Sequence, residues 1–95
     1  MIRSTPNHGD PVIVALGALA ATLSDPRRAE RLLALTGIGP DDLRERAGDP
    51  DLLAAVLRFL ENHEPDLVEI AQMIEVKPGE LVAAREALES GMGSR

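Results

Sequence analysis

His63 stands within three residues of Glu61, Glu64 and Asp66. An imidazole beside carboxylates is the donor set a divalent metal takes. The spacing does not support that use, because the four residues straddle a helix end and the turn at Pro65, and a histidine in a last helical turn commonly just complements the helix dipole. Arg27, Arg28 and Arg31 form the densest basic patch. It could meet an acidic partner, but at the start of a helix it reads more simply as a solvated face. Cysteine is absent, and the second histidine, His8, falls in a polar leader. No nucleophile stands with a base and no glycine-rich loop follows the Walker pattern, so the sequence predicts no catalytic residue, no metal and no cofactor.

Two further segments imitate nucleic-acid motifs. Leu35-Thr36-Gly37-Ile38-Gly39-Pro40 resembles the hairpin of a helix-hairpin-helix, whose turn offers backbone N–H groups to a phosphate. Asp41 and Asp42 follow where a basic or neutral residue would welcome that phosphate, and Leu43 occupies a position that normally holds a small residue. The segment from Ile70 to Leu81 resembles a helix-turn-helix, with Ala71 at its small-residue position and Val76 at the apolar position of the turn. Glu75 replaces the usual glycine, and the second helix would present Glu80, Glu86 and Glu89 with Arg85 as its single cation. From Glu64 onward there are seven carboxylates and three Lys or Arg, a net of −4. Both segments fit structural turns better than phosphate sites.

The elements that carry these residues are legible from proline. Pro11, Pro26, Pro40, Pro50, Pro65 and Pro78 each precede a stretch whose apolar residues recur at helical spacing. Proline suits a first helical turn, where its missing N–H costs nothing and its φ is already set. Six short helices follow. Asp10 caps the first, with Val12, Leu16, Leu19 and Leu23 as its apolar stripe; Ser24 or Asp25 caps the second, with Ala29, Leu32, Leu33 and Thr36 inward until Gly37 ends it. Pro40 opens a short third helix facing inward through Leu43 and Ala47. Asp49 caps the fourth, whose Leu53, Val56, Leu57 and Leu60 make it the expected centre. Leu67, Ile70, Ala71 and Ile74 line the fifth; Leu81, Val82, Ala84 and Leu88 line the sixth, with Lys77 a poor cap.

Ninety-five residues make one small domain. Phe59 is its lone aromatic residue, so the core must be aliphatic, as suits packed helices. A net charge of −6 argues against phosphate backbones and anionic lipid as partners. The longest apolar stretch, Pro11 to Leu23, falls short of a membrane span. With no cysteine and no signal-peptide pattern, the expected setting is cytoplasmic.

The run from Asp25 to Leu60 has an Asp-Pro-Arg start, a Leu-Ala-Leu-Thr-Gly centre, a Pro-Asp-Asp-Leu-Arg segment and a helix Asp-Pro-Asp-Leu-Leu-Ala-Ala-Val-Leu-Arg-Phe-Leu. It resembles a family of small bacterial domains of unknown function, and the likeness continues through Val76 to Leu88. That resemblance implies a helical chain of about this length and carries over no site residue.

The sequence thus predicts an all-α fold, a compact orthogonal bundle of five to six short helices over residues 10–89, with disordered ends at 1–9 and 90–95. Its expected core is Leu16, Leu19, Leu32, Leu33, Leu43, Val56, Leu57, Leu60, Ile70, Ile74, Leu81 and Leu88. The expected function is non-catalytic protein interaction, with an unknown protein partner or by self-association, through Leu23, Phe59, Met73 and Val76. The alternative is nucleic-acid binding through segment 66–89 or the hairpin 37–39.

Overall fold

In a computed structural model, residues 10–90 are described. The arm expected at 1–9 and most of the tail expected at 90–95 lie outside them; Ser90 is described and closes the last helix, its N–H donating to Glu86 O. Among the described residues six helices follow in order: α1 (Pro11–Leu23), α2 (Pro26–Thr36), α3 (Pro40–Glu45), α4 (Pro50–Glu61), α5 (Glu64–Met73) and α6 (Pro78–Glu89). There is no strand among the described residues. The all-α reading holds. Five helices begin on their proline, and α5 carries Pro65 as its second residue.

The caps explain the starts. Asp10 Oδ1 accepts from the N–H groups of Val12 and Ile13, Asp25 from that of Arg27, and Asp49 from that of Asp51. Asp25 rather than Ser24 therefore caps α2, while Ser24 closes α1 and donates its hydroxyl to Ala21 O. Lys77 offers no side-chain cap, and its backbone N–H is instead satisfied by Glu80 Oε2 at 2.9 Å.

The fourth helix packs against α1, α2, α5 and α6, and most extensively against α6. Its Leu53, Val56, Leu57 and Leu60 are fully buried, as the apolar spacing requires. The first helix buries a face that keeps Leu19 from the expected stripe and is otherwise rotated away from it. Val14, Ala15, Ala18, Leu19, Ala21 and Thr22 are buried, whereas Leu16 is half-buried and Leu23 exposed. This helix is apolar nearly all round, so spacing could not select its face. Burying Ala15 and Ala18 lets other backbones approach closely, and Thr22, also buried, satisfies its hydroxyl on Ala18 O at 2.7 Å.

The third helix is the loosest element. Leu43 is its one buried residue, and it packs only sparsely against the other helices. Leu16 and Leu33, both expected in the core, are consequently only half-covered. Ile74 is likewise partly buried, packed against the core near Gly17. No helix among the described residues is long and apolar enough to cross a membrane.

Candidate functional site

The basic patch and the His63 cluster, separated by more than thirty residues in sequence, meet in one ion network. Arg28 Nε donates to Asp66 Oδ1 at 3.1 Å and its Nη2 to Glu69 Oε1; Arg31 Nη1 reaches Asp66 Oδ2 at 3.0 Å. His63 Nδ1 lies 3.2 Å from the same oxygen. The solvated face expected for these arginines is therefore corrected at Arg28, which is 7% exposed. Sequence spacing could not show that Asp66, also buried, waits on α5 to neutralise it. Burial pulls the Arg28 guanidinium down, but hydrogen bonds and charge from Glu69 and Asp66 outweigh that and hold it above its ordinary value. Among the described residues no three His, Asp or Glu side chains converge as metal ligands.

The hairpin's amides are also occupied. Gly37 N–H donates to Leu33 O, Ile38 N–H to Thr36 Oγ1 and Gly39 N–H to Asp42 Oδ2. Gly37, at φ 73°, is the left-handed terminus of α2. The three donors that a phosphate would need are thus engaged within the chain, and one of their acceptors is itself a carboxylate, that of Asp42.

The helix-turn-helix-like segment keeps its turn. Glu75 adopts φ 61°, the left-handed conformation for which that slot usually holds glycine. The N–H of Val76 then bonds Ala71 O at 2.9 Å, closing α5 in a Schellman arrangement. The charge of the following helix remains unsuited to DNA. Glu89 is bound by both Arg85 and Arg58, and Arg85 also holds Glu61, so the arginine of α6 is spent on its own fold. The hydrogen bond to Glu61, with the charge of Glu61 and of Glu86, outweighs burial and holds the Arg85 guanidinium above its usual value.

Of the four expected contact residues, Leu23 and Met73 are exposed, Val76 is partly buried against the core, and Phe59 is buried at 6% exposure. An exposed role for Phe59 is corrected, since its place on α4 faces the core. The four do not form one patch. Leu23 lines an apolar groove of about 470 Å³ where α1, α2 and α3 meet, together with Leu16, Leu19, Leu33 and Leu43. Among the described residues Arg44 is its one charged wall residue, and Met73 does not line it. Ala20 and Leu33 were missed as surface contacts because helical spacing placed Leu33 inward and cannot reveal that short α3 leaves the seam open.

Residues 9–91 match the model of DUF3572, described as a protein of unknown function. No curated protein and no solved structure matches the chain.

Proposed function

We propose that this chain, which belongs to the DUF3572 family of unknown function, is a non-catalytic interaction module that receives an apolar helix face of a protein partner in the groove between α1, α2 and α3. The observation that carries the reading is the groove's aliphatic wall, with Leu23 39% exposed on it. Small-molecule sites usually place several polar groups to orient a ligand. This wall has almost none, whereas an amphipathic helix needs only leucine-sized anchors at helical spacing and a hydrophobic trough to receive them. The ion networks described above consume the groups that looked reactive, which supports a binding role over a catalytic one. The cysteine-free composition supports a cytoplasmic setting.

A photo-crosslinking residue in place of Ala20, on the groove wall, tests this in the cells that make the protein. One protein species should be captured there, but not from the same residue at Gln72 on α5, and Leu23→Glu should abolish the capture. Equal capture from both positions, or capture insensitive to Leu23→Glu, would contradict the reading.

Nucleic-acid binding is the second reading, favoured by one observation, the left-handed turn at Glu75. Titration with mixed duplex and single-stranded oligonucleotides at low salt tests it, because binders of phosphate backbones show their strongest affinity there.

A further inference from the structure

A second cavity, of about 340 Å³, opens between α2 and the C-terminal part of α4, independently of the groove. Phe59 contributes its apolar floor, and Leu35, 71% exposed, stands on its wall. Among the described residues the charged and titratable groups that line it are Arg31, Arg58 and His63, with Asn62 beside them and no carboxylate. In a chain of net charge −6 this lining is cationic, with each arginine ion-paired to a carboxylate outside it. Arg31 spends Nη1 on Asp66, and Arg58 spends Nη2 on Glu89. Each guanidinium has five N–H donors, so both keep donors for another acceptor. Leu35 lies outside the inward stripe of α2, which is why so large an aliphatic side chain meets water.

We propose that this pocket binds a small carboxylate with an apolar body, of the aryl- or branched-alkyl-carboxylate class. The carboxylate takes the free donors of Arg31, Arg58 and Asn62, and the apolar body lies between Leu35 and Phe59. The volume is within the range of small-ligand sites, and paired charge with an apolar floor distinguishes an amphiphilic anion from either a plain ion or a plain hydrocarbon.

The test is an amide NMR titration of the intact chain with phenylacetate and, separately, with 2-phenylethanol, which retains the ring and lacks the charge. Phenylacetate should shift Ala55, Phe59, Asn62 and His63 saturably in the millimolar range, about tenfold more tightly than the alcohol, and Arg58→Gln should remove most of that difference. The acid–alcohol comparison stands even if that variant folds poorly. N-acetyl-leucine, which mimics a peptide C-terminus, separates the two sources of such a carboxylate: tighter binding than phenylacetate would keep the site and assign it to a chain terminus, and weaker binding would assign it to a free acid. Absence of saturable shifts, equal affinity for acid and alcohol, or shifts centred elsewhere would overturn the site itself.

Discussion

Arg28 Nε and Asp66 Oδ1 meet at 3.1 Å with both side chains 8% exposed, joining the first turn of α2 to the first turn of α5. The acidic partner sits where the N-terminal end of α5 already favours negative charge. Arg31 and His63 crowd the other carboxylate oxygen, so one aspartate satisfies three neighbours.

Loss of that aspartate should therefore cost more than loss of the arginine. Asp66→Asn leaves Arg28 buried with Glu69 as its remaining anion, and we expect a destabilisation of about 2–3 kcal/mol, roughly 10 °C or more in Tm for a domain of this size. Arg28→Met leaves Asp66 with Arg31 and should cost about 1–2 kcal/mol. Urea denaturation of both variants checks the order, and the reverse order would refute the arrangement.

Acid should weaken the fold in part through Asp49. Its carboxylate accepts from the Asp51 N–H and from Arg46, and these bonds hold it below the usual value of 3.8. Because the folded form is the more acidic, the cap's stabilisation is full above that value and is lost as pH falls through the lower folded one. Asp49→Asn keeps an N-capping oxygen without a titrating group. Thermal scans between pH 5 and pH 2 should show a shallower loss of Tm for the variant than for the parent.

Three backbone positions predict different responses to glycine. Glu75 sits at φ 61°, where a Cβ is strained, so Glu75→Gly should stabilise by about 0.5–1 kcal/mol. Gly17 lies inside α1, and a Cβ built there would stand 3.8 Å from Ile74 Cδ1 and Cγ2, an ordinary contact. Gly17→Ala should also stabilise, by about 0.5–1 kcal/mol, through helix propensity. Gly37→Ala, at φ 73°, should do the opposite. Chemical denaturation of the three variants reads all three signs.

The third helix should be the first to open. With Leu43 as its buried residue and only sparse packing against the other helices, its amides should exchange with solvent much faster than those of Leu53 to Leu60 in α4. Hydrogen exchange followed by NMR checks this, and equal protection would show that α3 is held by more than Leu43.

Most of the fold was legible because its signals are local. Proline at each start, aspartate caps at residues 10, 25 and 49, and Gly37 at an end act within a few residues of where they stand. Apolar spacing also located the buried face of α4. On α1 it caught Leu19 and missed the rest of the buried face, because nearly every residue there is apolar and the choice of face depends on which alanines permit close packing. The site was less legible, since the Arg28–Asp66 pair joins residues thirty-eight apart and neither helix carries a sign of the other. The groove follows from how little α3 covers, a property of length and placement rather than of its own residues. Glu75 was read as a departure from a glycine slot, yet the chain accepts the left-handed conformation there, as the closing bond from Val76 to Ala71 requires.

The most direct measurement is amide NMR of the isotope-labelled chain added to extract of the cells that make it. Binding of a partner helix in the groove predicts selective line broadening at Leu16 to Leu23, Leu33 and Leu43 to Ala47, removed by Leu23→Glu without change in Tm. Broadening confined to α6, or a spectrum unchanged by the extract, would contradict the account.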